Sequence, residues 1–229
     1  MKETKTDKTY RKQTLIKAFV ISALALLMLV SIAGASPFAY VVDRWNGPVV
    51  DEIDVVDVID TATNTITASV PGNLEGPGVA VNPAGTNVYV TNYGKNTVSV
   101  IYTATNKVTA TVPVGNGPYG VAVNPAGTKV YVTNSGNYSV PGNAVSVIDT
   151  ATNKVTATVT VGRGPEGVAV TPDGKKVYVT NYNDNTTSVI DTATNMVTAT
   201  VTVGKGPSGV AVTPNGKKVY VPCSTTTPN

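Results

Sequence analysis

The sequence predicts an all-β protein built as a β-propeller, and three observations predict it. One unit recurs: Val-Ala-Val triplets begin at Val79, Val121, Val168 and Val210, spaced by 42, 47 and 42 residues. A period in the forties carrying four strand-like pieces is the signature of a propeller blade. The pieces themselves are short and either alternate apolar with polar residues or form brief apolar runs, as strands do. Between them lie tight-turn words, Asn-Pro-Ala-Gly, Thr-Pro-Asp-Gly and Thr-Ala-Thr-Asn, which recur at the same points of each copy.

The copy that begins at Gly78 gives the strands in order, A to D. Strand A is Val79 to Val81 and strand B is Val88 to Thr91, joined by Asn82-Pro83-Ala84-Gly85. Pro at the second turn position and a Gly able to take positive φ make that link a tight hairpin. Strand C, Thr97 to Ile101, leads through Thr-Ala-Thr-Asn to strand D, Lys107 to Val112, with Asn106 tolerating the left-handed conformation. Strand D sets Val108, Ala110 and Val112 against Thr109 and Thr111, one face buried and one wet. Strands A and C offer apolar or small groups to both faces, so both faces need cover, which neighbouring blades supply. Ala80, Ala122, Ala169 and Ala211 suit the crowded centre of a ring. Tyr40, Tyr89, Tyr131, Tyr178 and Tyr220 recur in strand B, where a ring wedges between blades and its hydroxyl is expected to find a partner.

Laid end to end, the copies start and stop part-way through a blade. The first has Tyr40 in a B-like strand and a C-plus-D block from Val55 to Val70, with no Val-Ala-Val strand before them. Complete copies begin at Gly78, Gly120 and Gly167, and the copy from Gly209 supplies an A and a B strand. Two architectures follow. In a closed four-bladed ring the A strand at Val210 completes the first partial blade, which hides sheet edges. In the alternative, an open partial propeller of about four and a half blades stands open or is completed by a second copy.

Residues 1–35 differ in kind. Six Lys/Arg and two Asp/Glu precede or flank the uncharged apolar run Ala18 to Ala35, which ends in Ala33-Gly34-Ala35. This is a signal peptide cleaved after Ala35 or, in the alternative, a hydrophobic membrane-anchor helix, since eighteen apolar residues just span a bilayer core of about 30 Å. Either way the body is expected outside the cytoplasm, extracellular or at the cell surface. The domain plan is thus 1–35 leader or anchor, 36–221 repeats and 222–229 flexible tail.

Composition removes several function classes. The net charge of +3 comes from the leader; the remaining residues hold eleven basic and twelve acidic side chains, with no basic stripe for phosphates, so no nucleic-acid partner is expected. His is absent and Cys223 is the single cysteine, which leaves no His base, no thiolate metal cluster and no internal disulfide. No catalytic, metal or cofactor site is expected.

The words Tyr89-Val90-Thr91-Asn92, Tyr131-Val132-Thr133-Asn134 and Tyr178-Val179-Thr180-Asn181 resemble the YVTN-type β-propeller repeats of surface-layer and cell-surface proteins of methanogenic archaea and of bacterial relatives. The resemblance covers about residues 38 to 221. It implies a propeller and a surface role. The last copy departs from it, reading Tyr220-Val221-Pro222-Cys223, and the chain is too short for the seven-bladed rings of that family.

Other words look like sites and have plainer explanations. Three G-x-G-x-x-G matches, beginning at Gly115, Gly162 and Gly204, each run into a strand and not into the helix that a dinucleotide site needs. Asp60, Asp149 and Asp191 each end a C strand, one per blade, where a short carboxylate caps its own turn. The run Asp51-Glu52-Ile53-Asp54 with Asp57 reads as solvated edge charge that discourages strand pairing, with calcium as the alternative.

The informative contrast is between loops. The A-to-B and C-to-D turns, which share one end of the blades, are monotonous. The B-to-C and D-to-A connections at the other end vary, carrying Arg44, Trp45, Tyr93, Tyr119, Tyr138, Arg163 and Tyr182 and the five-residue insertion Tyr138 to Gly142. Variable loops with aromatics and Arg on a rigid scaffold make binding faces, here for a protein or glycan partner. The sequons at Asn137 and Asn185 fall on that end as candidate glycosylation sites. The function expected is an exported, non-catalytic propeller acting as a surface-layer component or as an adhesion or interaction scaffold, with homo-oligomers possible by ring completion. The alternative is a ligand-binding or lactonase-like propeller enzyme.

Overall fold

The computed structural model describes residues 38–43, 55–71 and 76–224. The leader, Arg44, Trp45, most of the acidic run and the last five residues of the chain lie outside the described residues.

Among the described residues seventeen strands form five antiparallel sheets, and in the second sheet the sequence pattern anticipates the boundaries to within a residue or so. The first sheet holds β1 (Phe38–Asp43), β2 (Val55–Asp60) and β3 (Thr65–Pro71). The second holds β4 (Val79–Val81), β5 (Asn87–Asn92), β6 (Thr97–Tyr102) and β7 (Lys107–Pro113). The third holds β8 (Pro118–Val123), β9 (Lys129–Gly136), β10 (Pro141–Asp149) and β11 (Lys154–Thr160). The fourth holds β12 (Pro165–Val170), β13 (Lys176–Asn181), β14 (Thr186–Asp191) and β15 (Met196–Thr202). Finally β16 (Ala211–Val212) pairs with β17 (Val219–Tyr220). Each complete blade is a four-stranded meander, with Ala80 opposite Tyr89, Ala122 opposite Tyr131 and Ala169 opposite Tyr178.

Turn chemistry fixes the meander. Asn82 Oδ1 accepts the N–H groups of Thr86 and Asn87, closing the A-to-B hairpin, and Gly85 takes φ +69°. Asn64, Asn106, Asn153 and Asn195 all adopt positive φ at the end of the C-to-D turn. Thr103, Thr150 and Thr192 then donate to the carbonyls of Gly85, Gly127 and Gly174, fastening the two turns of each blade to one another.

Stacking supplies the core, and one arrangement recurs at three junctions. Val70 packs with Val88, Val90 and Ile101 of the second blade. Val112 packs with Val130, Val132 and Ile148 of the third. Val159 packs with Val177, Val179 and Ile190 of the fourth. Each fully buried valine contributes about 1.5–3 kcal/mol relative to exposure. Thr91 and Thr133 add a polar link: their hydroxyls accept from Gly78 N–H and Gly120 N–H and donate across the junction to the carbonyls of Tyr119 and Glu166.

Two expectations are corrected. The interlocked four-bladed closure does not form among the described residues: β16 pairs with β17 and not with β1, and the first sheet keeps three strands. Four stacked sheets and a C-terminal strand pair, four and a half blades in all, stand among the described residues. Tyr40 and Tyr131 are buried, yet their hydroxyls have no partner among the described residues, and desolvation raises the pKa of each. The rings are there for their apolar bodies.

Candidate functional site

The variable end of the blades is assembled from the G-x-G-P links, which are pinned on both sides. Gly117, Gly164 and Gly206 adopt positive φ at +60°, +62° and +56°. The N–H of Gly117 donates to Asn96 Oδ1 and that of Gly206 to Asn185 Oδ1. On the other side, Ser135 N–H donates to Gly117 O, Tyr182 N–H to Gly164 O and Ser224 N–H to Lys205 O. The three G-x-G-x-x-G words are therefore junction turns that lead into β8, β12 and the segment before β16.

The Asn of each Tyr-Val-Thr-Asn word has a structural role beside those links. Asn92, Asn134 and Asn181 donate from Nδ2 to Ser99, Ser146 and Ser188, tying strand B to strand C inside each blade. Their Oδ1 atoms are buried without a partner among the described residues. A Cβ on Gly115 or Gly162 would collide with Asn134 or Asn181, so glycine is required at both. Cys223 fills the same place against Gly204, half-buried, and the fold's contacts continue through Ser224. A shallow cleft opens at the junction of the second and third blades, lined by Gly115, Asn116, Asn134, Asn143 and Ser146 among others.

Among the sequence-predicted residues, Tyr138 is fully exposed at the tip of the insertion, and Tyr182 is exposed beside Gly206. Tyr93 lies in a short 3-10 turn, Tyr93–Lys95, and Tyr119 on β8; both are half-buried. Arg163 is fixed by Asp184: its Nε donates to Asp184 Oδ1 at 2.7 Å and its N–H to Oδ2 at 2.8 Å. The N–H and the guanidinium together hold the Asp184 carboxyl below the ordinary carboxylate range. Antiparallel meandering puts all these loops at one end of the sheets. Arg44 and Trp45 lie outside the described residues.

The two sequons differ in setting. Asn137 is exposed, and its Oδ1 accepts the N–H groups of Ser139 and Val140, shaping the insertion. Asn185 is half-buried at φ +55°, with its carbonyl held by Gly206, and it repeats the role of Asn96. Sequence reasoning gave no signal for that role, because the Gly partner lies twenty-one residues on in both copies.

At the opposite end, the Asp residues cap their own turns. Asp149 Oδ1 accepts the Thr152 hydroxyl and N–H, and Asp191 Oδ1 accepts the N–H and hydroxyl of Thr194; these bonds lower both carboxyl pKa values. Glu166, among the residues that the sequence places in the variable connections, is half-buried near the start of β12, and burial pushes its carboxyl up to about 7. Among the described residues no three His, Cys, Asp or Glu side chains converge to hold a metal.

Known proteins share this architecture. The model of the YNCE-like beta-propeller family matches residues 126–217. Comparison with curated proteins finds no match. A chain of hydrazine synthase from Kuenenia stuttgartiensis is 28% identical, with a TM-score of 0.68, over 73% of this chain and 49% of that one. A functionally unknown protein from Desulfotomaculum acetoxidans DSM 771 shares the fold at 18% identity and a TM-score of 0.66, over 84% of this chain and 61% of that one. The chain thus spans about half the length of the first and three fifths of the second. Stacked four-stranded meanders, the family match over the third to fifth copies and these structural likenesses agree: the chain is a β-propeller protein.

Proposed function

We propose that the protein is an exported, non-catalytic propeller that serves as a surface-layer or cell-surface interaction scaffold, binding a protein or glycan through the loops at its variable end. The observation that carries this reading is the contrast between the ends. The turns around Gly85, Gly127 and Gly174 are fastened by the same hydroxyl bond in every complete blade. The other end instead presents exposed Tyr138 and Tyr182 and an Arg163 guanidinium oriented by Asp184. Exposed aromatics and a positioned Arg on rigid strands are the groups from which interface hot spots are made. The resemblance of the Tyr-Val-Thr-Asn words to surface-layer repeats supports the location. The hydrazine synthase activity belongs to that protein; half its chain lies beyond the likeness.

The test is co-sedimentation of the purified full chain with cell envelopes of the source organism, before and after enzymatic removal of envelope protein or glycan. Tyr138→Ala/Tyr182→Ala is expected to weaken association at least tenfold while leaving the unfolding midpoint unchanged. Association unaffected by that double variant would refute a role for this end.

A further inference from the structure

Departures of the third blade from its neighbours meet at one cleft, the one between the second and third blades. The first is a lost hydroxyl. Thr97 and Thr186 stand opposite Asn92 and Asn181 in the second and fourth blades, where each accepts one N–H of the asparagine Nδ2 while Ser99 or Ser188 accepts the other. In the third blade Ala144 stands opposite Asn134, which bonds Ser146 alone. The second departure comes with the insertion. Asn96 and Asn185 hold the N–H groups of Gly117 and Gly206 by their side chains, but Gly142 O takes the N–H of Gly164. Asn143, whose carbonyl accepts Val161 N–H as those of Asn96 and Asn185 accept Val114 and Val203 N–H, is released from that task. Both released amides line the cleft. The matching cleft at the next junction is lined by Thr186, Ser188 and Asp184 and not by Asn181.

The cleft's chemistry is neutral and two-sided. Asn134 is 3% exposed and Ser146 2%, yet the Asn134 amide keeps one N–H and its Oδ1 unspent among the described residues. Turned over, the amide would accept from Ser146 and leave both N–H groups unspent, so unmet capacity stays either way. A buried polar group in that state costs free energy until something pairs with it. Exposed Asn116, Asn143 and Thr158 stand at the mouth, and half-buried Val114 and Val155 add an apolar wall. No described Asp, Glu, Lys or Arg lines the space, which measures about 480 Å³, within the roughly 300–1,000 Å³ of small-molecule sites.

We propose that this cleft is a saccharide site that takes a neutral sugar unit of a glycan. The inference rests on the reading of the variable end as the binding end and names what that end takes. A sugar hydroxyl donates and accepts at once, which is what an unspent N–H beside an unspent Oδ1 requires. Neighbouring hydroxyls pair with Asn143 or Asn116 at the mouth, and the C–H face of the ring lies against Val114 and Val155. A carboxylate, phosphate or ammonium would give up its hydration with no opposite charge to meet it. A peptide has no strand edge to extend here, because β9 and β10, which carry Asn134 and Ala144, are paired on both sides.

The test is a titration of the isotope-labelled full chain, in a detergent without a sugar headgroup, with the methyl glycosides of glucose, galactose, mannose and N-acetylglucosamine. At least one glycoside is expected to shift the side-chain amide signals of Asn134 and the backbone amides of Gly115 and Ala144. Ala144→Thr gives the third blade the residue of its neighbours, and Asn143→Ala shortens an exposed side chain; each is expected to weaken binding about tenfold, the loss of one bonded polar partner, without lowering the unfolding midpoint. Binding unchanged in both variants, or shifts centred on Thr186 and Ser188 instead, would overturn the proposal. So would silence to all four glycosides at concentrations that fill a millimolar site, leaving water as the occupant, or a stronger response of the same signals to triglycine amide. The envelope assay keeps the two readings apart. Glycoside binding without envelope association supports the cleft and refutes the surface role, whereas envelope association through Tyr138 and Tyr182 without glycoside binding does the reverse.

Discussion

The third blade and the C-terminal pair of strands are written in nearly the same words and end in opposite environments. Tyr131, Val132 and Asn134 are buried between neighbours, while Tyr220 is 59% exposed, Val221 half-buried and the Asn place taken by Cys223. The D strands repeat the contrast, with Val112 and Val159 covered by the blade that follows and Val201 open. Burial in this fold belongs to the stack and not to the strand: a blade's local pattern forms its sheet, and the next blade decides what that sheet is worth.

The contrast breaks most sharply at the tyrosines. Tyr131→Ala opens a cavity at the heart of a junction and is expected to cost about 4 kcal/mol, whereas Tyr220→Ala should stay within about 0.5 kcal/mol in the isolated chain. Urea unfolding of both variants checks this, and equal losses would show that the C-terminal pair is covered after all. Next come the D-strand valines, where Val112→Ala is expected to lower stability by about 2 kcal/mol and Val201→Ala by a small fraction of that in the same measurement. The polar link is smaller. Thr133→Val leaves the Gly120 N–H and the Glu166 carbonyl without their partner and should cost about 1.5 kcal/mol. Amide exchange at Gly120 should speed up accordingly.

The smallest effect is pH-dependent and sits at the same junction. Glu166 has its carboxyl raised from 4.5 to about 7, so the folded chain keeps this proton longer than the unfolded chain. Stability is free of this cost below the unfolded value and falls as pH rises from 4.5 through about 7. After allowance for solvent screening the loss is about 1 kcal/mol. Glu166→Gln should remove that slope from urea midpoints followed across the window, and an unchanged slope would place its origin elsewhere.

Strand order and turn positions were legible in the sequence because both are local. Alternation in Lys107 to Val112, Pro83 before Gly85 and Asn106 before strand D each act over a few residues, and β4 to β7 match the expected strands to within a residue or so at each end. The turn-capping of Asp149 and Asp191 was legible for the same reason. What failed to show itself depends on partners far along the chain. Asn96 and Asn185 hold glycines twenty-one residues away, so Asn185 read as a sequon and not as a brace. The tyrosine hydroxyls were expected to be bonded, yet ring packing alone sets the fate of Tyr40 and Tyr131. Ring closure was left open because it depends on the angle between sheets, which no single strand encodes.

The insertion in the third blade carries one more consequence. Asn137 folds it upon itself, Pro141 re-enters the ladder opposite Gly136, and Gly142 O receives the Gly164 N–H that an Asn side chain receives in the neighbouring copies. The framework therefore meets the same demand with or without the extra residues. Length and content between positions 137 and 141 are free to diverge, which gives this molecule a place to acquire new specificity with no change to its scaffold.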